Sequence, residues 1–399
     1  MTTSDQSSPK TDSERRLTVV QMLPALISGG VERGTLEVGK YLVEHGHHSI
    51  VISAGGRLVG QLEREGSEHL TWDIGRKSPL TLLRYVGRLR RFLRDEQVDI
   101  LHVRSRMPGW VAYLALKGMP AQHRPRFITT FHGLYSVNAY SGVMAKGEQI
   151  IAVSETVRAF ILNHYPKTSE NRVLVIPRGV DPEVYPLDYR PSPEWLSAWE
   201  AQYPQLLDKK VLTLPGRITR LKGHEDFIKL IARLKALGEP VHGLIAGGAE
   251  AKKLRYLGEL KNKIAQLDLH QDITFTGQRS DLREIMAASD LVLSLSTKPE
   301  SFGRTVLEAL SMGVPVIGYS HGGVGEQLAR LFPQGQVALG DIDELVKQCH
   351  AIKSKTRVKL RAPPPSLQSM LAATVSVYET AFDGCLSDHH PVNGASSTL

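Results

Sequence analysis

The chain has 399 residues, of which 41% are hydrophobic and 23% are charged. This composition excludes a wholly disordered chain and suffices for two domains with separate cores. No stretch approaches the roughly 20 apolar residues of a membrane-spanning helix, and residues 1–16 are polar where a secretory signal would be apolar. Cys349 and Cys385 are too few for a disulfide framework or a thiolate zinc site, so we expect a protein of the reducing cytoplasm.

The formal net charge is +8, and all of the excess lies in the first half of the chain. Residues 1–180 carry 24 basic and 16 acidic side chains, whereas residues 181–399 carry 25 of each. We therefore expect an anionic partner to meet the first half. On charge alone, that partner is open among nucleic acid, an anionic membrane face and a phosphorylated substrate.

Residues 1–16 are predicted to form a disordered leader. From residue 17 onward, short apolar runs alternate with helical stretches, which is typical of a parallel sheet covered on both faces. We therefore predict a first, Rossmann-like doubly wound domain over residues 17–180. Its strands are predicted at 17–22, 49–53, 98–103, 126–131, 149–153 and 172–176.

Five prolines between positions 177 and 193 interrupt regular structure and predict a linker over 181–210. A second domain of the same α/β class is predicted over 211–365, followed by a helix, 366–385, that crosses back to the first domain, and a disordered tail, 386–399. The strands of this second domain are predicted at 211–214, 241–246, 272–276, 291–295, 314–319 and 336–339. Two such sheets in tandem are expected to face each other across a cleft that holds a small molecule.

The strongest local motif follows the strand predicted at 291–295. Glu300 and Glu308 stand a little over two helical turns apart, so both carboxylates are expected on one side of a helix. The amides at the start of that helix suit phosphate oxygens, and a carboxylate beyond them suits ribose hydroxyls. These amides belong to Phe302, Gly303, Arg304 and Thr305. The alternative is a surface loop with one glutamate at the helix dipole and a second, incidental one.

Three further loops at predicted strand ends carry candidate residues. Arg217 and Lys222 lie on a glycine-bounded loop where two cations can clamp a diphosphate, with solvated loop cations as the alternative. Gly29 and Gly30 let the backbone approach a ligand without a Cβ, although a plain turn is the simpler interpretation. His132 ends a predicted strand and is expected to point into the cleft, although a lone histidine is more often structural.

Two clusters in the sequence resemble metal sites only superficially. His45, His47 and His48 surround a predicted helix end and lack a carboxylate at ligand spacing. Asp341 and Asp343 open a predicted helix and are better explained by helix capping. We therefore expect no metal site.

A basic helix is predicted over 78–95. Its apolar stripe consists of Leu82, Leu83, Val86, Leu89 and Leu93. Three arginines recur on another side at i, i+4, i+7 spacing: Arg84, Arg88 and Arg91. Such a helix suits an anionic membrane face, and a crossover helix with a solvated basic face is the equal alternative. Arg104 and Arg106 end the next strand, where they are expected to bind a phosphate or carboxylate.

Taken together and in this order, the motifs resemble those of the retaining glycosyltransferases of GT-B fold, family 4. The resemblance covers roughly residues 17–382 and is most specific from Glu300 to Glu308. Other matching segments are 151–155, 177–181, 216–223, 245–248 and 275–277. The chain departs from the family pattern at Arg178, where Asn is common, and at Ser301, where Gly is frequent.

By this resemblance, the second domain binds a nucleotide-diphosphate sugar. Glu308 would bind the donor ribose, and Arg217 and Lys222 the diphosphate. Glu300, with the amides of residues 302–305, would bind the donor sugar and the distal phosphate, and it is one of two expected catalytic residues.

The resemblance also assigns roles around the donor site. Gly277 and Arg279 would line the base through backbone contacts. Gly29 and Gly30 would approach the phosphates from the opposite domain. His132 would reach the reacting end of the sugar, as the second expected catalytic residue.

The resemblance implies a metal-independent, retaining hexosyltransferase that extends a lipopolysaccharide-core or other cell-envelope glycan. We expect a UDP-linked sugar as donor, with guanosine and adenosine left open, and a glycan or glycolipid as acceptor. No cofactor and no nucleic acid partner are expected, and the protein is placed in the cytoplasm, on the inner face of the cytoplasmic membrane if the basic helix binds it. The alternatives are a nucleotide-sugar 2-epimerase of the same fold and a non-catalytic protein that binds nucleotide sugars.

Overall fold

The computed structural model describes residues 16–27, 29–250 and 253–388. Contacts between Cα atoms divide the chain into two compact units. The first contains the described residues up to Thr129, together with Lys146–Glu148 and the chain from Val377 onward. The second contains Thr130–Ala145 and Gln149–Ser376. No helix in the described part of the chain is long and apolar enough to cross a membrane.

The first sheet consists of seven parallel strands. They are β1 (Thr18–Met22), β2 (His48–Ser53), β3 (Glu68–Thr71), β4 (Ile100–Val103), β5 (Arg126–Phe131), β6 (Gln149–Ala152) and β7 (Val173–Val175). Their order across the sheet is β3-β2-β1-β4-β5-β6-β7, so the direction of winding reverses beside β1. Val19 of β1 lies opposite Ser49 on one side and Ile100 on the other.

Helices connect these strands and cover a sheet whose central strands are buried. They are α1 (Gly30–Glu44), α2 (Val59–Arg64), α3 (Pro79–Asp95), α4 (Arg106–Lys117) and α5 (Glu155–His164). Every residue of β4 is buried, which requires cover on both faces. This arrangement is the doubly wound parallel fold that the alternation of apolar runs predicts.

The second sheet is also parallel and consists of six strands. They are β8 (Lys210–Pro215), β9 (Val241–Ala246), β10 (Ile273–Phe275), β11 (Leu291–Ser294), β12 (Val316–Tyr319) and β13 (Gln336–Val337), in the order β10-β9-β8-β11-β12-β13. The helices of this part are α6 (Pro193–Gln202), α7 (His224–Ala236), α8 (Leu254–Gln266), α9 (Leu282–Ala288), α10 (Arg304–Ser311), α11 (Gly322–Leu331), α12 (Ile342–Ala351) and α13 (Leu367–Asp388).

Helix α7 shows how apolar spacing builds the second core. Phe227, Ile231 and Leu234 recur at i, i+4, i+7 and are fully buried in one cluster with Leu212 of β8 and Leu293 of β11. Two carboxylates occupy its first turn, where the helix dipole favours negative charge. The helix is thus held to the sheet by one face and oriented by its charged start.

The structure confirms the α/β class with two Rossmann-like parallel sheets, and every predicted strand is present with its ends within two residues. The sequence prediction misses β3, because this edge strand has only exposed and half-buried residues and lacks a continuous apolar run. It also misses α6, which lies inside the segment predicted as a linker. The Ser192 hydroxyl accepts the N–H of Trp195 at 3.2 Å and Pro193 occupies the first turn, which is a typical helix start.

The predicted C-terminal helix is present as α13, which begins in the second unit and ends in the first. It extends to Asp388, into the segment predicted as a disordered tail. Residues 389–399 of that tail, and residues 1–15 of the predicted leader, lie outside the described residues.

The superficially metal-like residues have other partners. Asp341 caps α12, since its side chain accepts the N–H of Glu344 at 3.0 Å, which confirms the capping interpretation. The ring of His47 accepts the N–H of Leu17, and His48 bonds to a glutamate on β3. Within residues 16–27, 29–250 and 253–388, no group of three or more His, Cys, Asp or Glu side chains is placed to hold a metal ion.

Two histidines are buried in the second unit as neutral rings. Burial lowers the pKa of His224, at the start of α7, and of His242, in β9, to about 4. His224 bonds through Nδ1 to the carbonyl oxygen of Thr219, and His242 bonds through Nε2 to the hydroxyl of Thr274. Each ring is therefore uncharged in the folded protein over the pH range in which a solvated histidine titrates.

We expect the second unit to lose stability as the pH falls from about 6.5 toward 4. In this window the unfolded chain binds a proton at each of these histidines and the folded chain does not, so each lowers the free energy of unfolding by about 1.4 kcal/mol per pH unit. Urea unfolding at several pH values measures the slope. His242→Gln should reduce it, whereas His270→Gln, at an exposed histidine, should not; an equal slope in all three proteins would contradict the assignment.

Candidate active site

Two loops meet at the carboxyl ends of the adjacent strands β8 and β11. We call residues 216–223 the lysine loop and residues 296–303 the glutamate loop. The N–H of Thr297 donates to the carbonyl oxygen of Leu221 at 2.8 Å. Gly223 has φ 72°, and a Cβ there would lie 1.9 Å from the carbonyl oxygen of Leu295, so only glycine permits this approach.

An ion pair joins the two loops. Nζ of Lys222 lies 2.7 Å from Oε1 of Glu300, and these side chains are 31% and 24% exposed. The hydroxyl of Ser296 donates to the same carboxylate oxygen. The pair is therefore partly shielded from water but still open to a ligand. An anion can compete for the ammonium group, and hydroxyl groups can compete for the carboxylate.

Helix α11 fixes the end of the glutamate loop and the start of α10. Gly303 adopts a left-handed conformation, with φ 87°, as the N-cap of α10. Nε2 of Gln327 donates to the carbonyl oxygens of Phe302 and, at 3.2 Å, of Gly303. The N–H of Gly323 donates to the carbonyl oxygen of Glu300 at 2.8 Å. These bonds set the peptide planes that lead into α10, whose first amides have no intrahelical acceptors.

Glu308 lies one turn further along α10. Its side chain is 8% exposed, and its Oε1 lies 3.7 Å from Nε of Arg304. Thr305 is half-buried on the same turn. The structure thus keeps the second glutamate of the motif buried beside a cation, and the ribose role of Glu308 stays a prediction.

The other residues predicted to bind the donor have partners of their own. Arg217 is 76% exposed and pairs with Glu250 at 3.0 Å, and not with Glu300 of the glutamate loop. Arg279 donates two hydrogen bonds to Asp281, at 2.8 and 2.6 Å. Gly277 has φ 71°, with open space where a Cβ would be. Their roles toward the diphosphate and the base stay predictions.

His132 lies in the same unit and contacts the glutamate loop. The hydroxyl of Ser301 donates to the backbone carbonyl of His132 at 2.7 Å. The hydroxyl of Ser154 donates to the carbonyl of Ser301 at 2.6 Å. On its ring, Nδ1 of His132 bonds to Nη2 of Arg178. The structure therefore connects the two expected catalytic residues through Ser301, which follows Glu300 in the chain and bonds to the main chain of His132.

In the first unit, Gly29 and Gly30 form the start of α1. Gly29 has φ 138°, and a Cβ there would lie 2.6 Å from Oε2 of Glu32. Burial raises the pKa of Glu32, so this carboxyl group is less acidic than a solvated one. The backbone at Gly29 thus has the conformation that a close approach needs, and its phosphate contact stays a prediction.

Arg104 is buried inside the first unit. It is 2% exposed, and its Nε donates to Oε1 of Gln21 at 2.9 Å. Burial lowers the pKa of its guanidinium and raises the pKa of Tyr378 to about 12. The burial favours a structural role for Arg104, whereas Arg106 begins α4. The expected contacts of both arginines with a phosphate or carboxylate stay predictions.

Helix α3 packs through a face that differs from the predicted apolar stripe. Its buried residues are Thr81, Tyr85, Leu89 and Leu93. Leu83, which belongs to the predicted stripe, is 81% exposed, and Leu80 is 72% exposed. The three predicted basic residues are exposed, and the guanidinium of Arg88 lies 4.3 Å from the centre of the Trp72 ring.

The residues that support the glutamate loop were missed by the sequence analysis. Nε2 of His321 bonds to the carbonyl oxygen of Ser296 at 2.6 Å. A Cβ on Gly322, which has φ 61°, would lie 2.7 Å from the carbonyl oxygen of Glu300. The available signal is the glycine pair 322–323, which begins three residues after the end of the strand predicted at 314–319, where a close backbone contact needs glycine.

Comparison with known proteins gives the same fold and adds the family. The model of Glycosyltransferase Family 4 matches residues 28–184, and that of Glycosyl transferases group 1 matches residues 197–361. A glycosyltransferase structure from Rickettsia africae is 30% identical with a TM-score of 0.79, covering 92% of this chain and 98% of that one. Alr3699/HepE of Anabaena, solved with UDP and glucose, is 20% identical with a TM-score of 0.72, covering 94% and 99%.

Two relatives found by sequence are also sugar-transferring or sugar-conjugating enzymes by name. N-acetyl-alpha-D-glucosaminyl L-malate synthase of Bacillus anthracis is 25% identical over 73% of this chain and 75% of its own length. The lipopolysaccharide core biosynthesis mannosyltransferase LpsB of Rhizobium meliloti is 30% identical, over 30% of this chain and 33% of its own length.

The two parallel sheets and the matches over both halves define a glycosyltransferase of GT-B fold. The chain belongs to the family 4 and group 1 glycosyltransferases.

Proposed function

We propose that this protein is a retaining glycosyltransferase that takes a sugar from a UDP-linked donor and attaches it to a glycan or glycolipid. The observation that carries the proposal is the ion pair of Lys222 and Glu300 beside the first turn of α10. It joins an ammonium group to a carboxylate in the loop that leads directly into the first turn of α10. The structure of HepE with UDP and glucose supports this class of donor.

The ammonium group and the helix amides suit the diphosphate of the donor. Phosphate oxygens bind at helix N-termini, and Lys222 adds a full positive charge there. When the diphosphate pairs with the ammonium group of Lys222, the Glu300 carboxylate loses this partner and can accept hydrogen bonds from sugar hydroxyls. Glu308, further along α10, is proposed to accept those of the ribose. In this proposal both glutamates accept hydrogen bonds from hydroxyl groups of the donor, Glu300 from the sugar and Glu308 from the ribose, which lie on either side of the diphosphate.

The proposed reaction proceeds on one face of the donor sugar. The bond between the anomeric carbon and the phosphate oxygen breaks, and the acceptor hydroxyl oxygen bonds to that carbon from the same side. The proton of that hydroxyl passes to the departing phosphate oxygen, so no glycosyl-enzyme forms. Lys222 and the start of α10 stabilise the charge that develops on the diphosphate, and we propose turnover without a divalent ion.

We expect Lys222→Met and Arg217→Met each to lower kcat by about 10²-fold, because each removes a cation that stabilises the leaving diphosphate. Arg220 lies on the same loop but is held by Glu225, Glu259 and the Tyr256 ring, so Arg220→Met is the matched control. Turnover is measured with and without EDTA. Equal losses in the control, or strict dependence on a divalent ion, would show that the charge of the leaving group is handled differently.

The product should have the same anomeric configuration as the donor, because the acceptor oxygen enters on the face that the phosphate leaves. Proton NMR of the anomeric coupling constant in the first product formed decides this. An inverted product would overturn the proposed reaction while leaving the family assignment intact.

We further propose that the acceptor belongs to a lipopolysaccharide core or another envelope glycan, and that the protein reaches it at the inner face of the cytoplasmic membrane. The name of the relative LpsB supports the acceptor class. On α3, Leu80 and Leu83 are exposed next to the exposed Arg84, Arg88 and Arg91. Exposed leucines flanked by arginines suit the boundary between acyl chains and anionic headgroups.

Replacing Arg84, Arg88 and Arg91 with glutamate should release the protein from anionic vesicles, since each arginine near such a surface contributes about 1 kcal/mol. The control carries Arg233→Glu, Lys261→Glu and Lys347→Glu in the second unit, which gives the same net charge. Sedimentation with vesicles at increasing salt measures both variants. If the two variants are released equally, or if the wild type never binds at low salt, α3 is only a solvated crossover helix.

A further inference from the structure

Both residues at which the chain departs from the family pattern contact His132. We infer that Arg178 and Ser301 are positioning residues, which fix the tautomer and the main-chain position of His132 so that its ring donates a hydrogen bond to the donor sugar. This inference rests on the proposed function, because it places His132 at a bound sugar.

The segment that carries Arg178 is held tightly against the start of α13. The N–H of Val180 donates to the carbonyl oxygen of Pro365 at 3.0 Å, and the carbonyl oxygen of Val180 accepts the N–H of Leu367 at 2.7 Å. A Cβ on Gly179 would lie 2.1 Å from the carbonyl oxygen of Ser366. The backbone next to Arg178 therefore has little freedom to shift.

The side chain of Arg178 is equally constrained. It is 9% exposed, and its Nη1 lies 3.8 Å from Sδ of Met370, on α13, while Nη2 bonds to Nδ1 of His132. The guanidinium thus lies between a helix and the imidazole, at a fixed place. A planar group with fixed donors imposes the orientation of the ring that it contacts.

The contact with Arg178 decides which nitrogen of His132 carries the hydrogen. A guanidinium keeps its protons and has no acceptor, so Nδ1 of His132 is the acceptor in this bond. The neutral ring then carries its hydrogen on Nε2.

Ser301 fixes the other half of His132, its main chain. Its hydroxyl donates to the His132 carbonyl at 2.7 Å, and its own carbonyl accepts the hydroxyl of Ser154 at 2.6 Å. A glycine at 301 has no hydroxyl and cannot make the first bond. The serine therefore ties the turn after β5 to the glutamate loop.

A ring with its hydrogen on Nε2 can donate from that atom and cannot take a proton there. His132 is thus set to recognise an oxygen of the sugar, as a hydrogen-bond donor, and not to act as a general base. This agrees with the proposed reaction, in which the departing phosphate takes the proton of the acceptor hydroxyl.

The tautomer can be measured without any substrate. In protein labelled with ¹⁵N-histidine and assigned with His132→Gln, the wild type should show an accepting Nδ1 and a protonated Nε2 at His132. Arg178→Met should give a mixture of tautomers, and Arg178→Lys, which keeps a charged donor, should restore the wild-type pattern. A hydrogen on Nδ1 in the wild type, or an unchanged spectrum in Arg178→Met, would overturn the inference.

Kinetics then test whether this positioning serves the sugar. Arg178→Met should lower kcat/KM by about 10- to 100-fold and Ser301→Ala by less, with the affinity for UDP unchanged, since UDP lacks the sugar. Arg126→Gln, at the opposite end of β5, is the matched control, because Arg126 is partly buried and paired with Glu148. Equal losses in the control, or a parallel loss of UDP affinity, would reduce Arg178 to a structural role.

These results separate the inference from the proposed function. If the wild type neither binds UDP nor transfers a sugar, the proposed function fails, and the NMR spectra still show whether Arg178 sets the tautomer of His132. If sugar transfer occurs but the NMR spectra of the wild type and Arg178→Met are the same, the proposed reaction is supported and the positioning role of Arg178 is rejected.

Discussion

The glutamate loop is held by contacts between backbones, on both of its sides. On one side Gly223 meets the carbonyl of Leu295, and on the other Gly322 meets that of Glu300, at distances that exclude any side chain. The conformation of the loop therefore depends on glycines outside it as well as on its own side chains. A side chain at Gly223 or Gly322 would therefore displace the backbone of the loop itself.

Both units bury polar side chains that have hydrogen-bond partners inside the protein. In the first unit, a charged guanidinium is buried at Arg104 and hydrogen-bonded to Gln21, and His102 bonds to the hydroxyl of Tyr378 at 2.7 Å. In the second unit, the buried histidines are neutral, so they avoid the cost of a buried charge but gain no ion pair. Acid should therefore weaken the second unit through its histidines.

The sheets could be predicted because strands covered on both faces leave continuous apolar runs in the sequence. That signal fails for β3, which lies at a sheet edge and buries no residue fully. The motif residues could be predicted by type and by strand end, but not their partners. Arg217 and Lys222 look equivalent in the sequence, yet Arg217 forms an ion pair with Glu250 and Lys222 forms one with Glu300.

Contacts between distant segments lay beyond any sequence pattern. The bond between Arg178 and His132 joins residues from different loops, and no periodicity or spacing relates them. The same is true of Gln327, which supports the glutamate loop from α11. The exposure of Leu83 was mispredicted because neighbouring helix positions were grouped by hydrophobicity alone, without the direction in which the sheet lies.

Helix α13 belongs to both units, since Ser376 is counted with the second and Val377 with the first. A hybrid enzyme made by exchanging one unit with that of a relative cannot be joined at this boundary without cutting a helix of 22 residues in its middle. A hybrid must therefore inherit the whole of α13 from one parent protein. The residues that contact this helix but come from the other parent must then be complementary to it. A junction before Leu367, next to the short parallel bridge between Val180 and Ser366, keeps α13 whole.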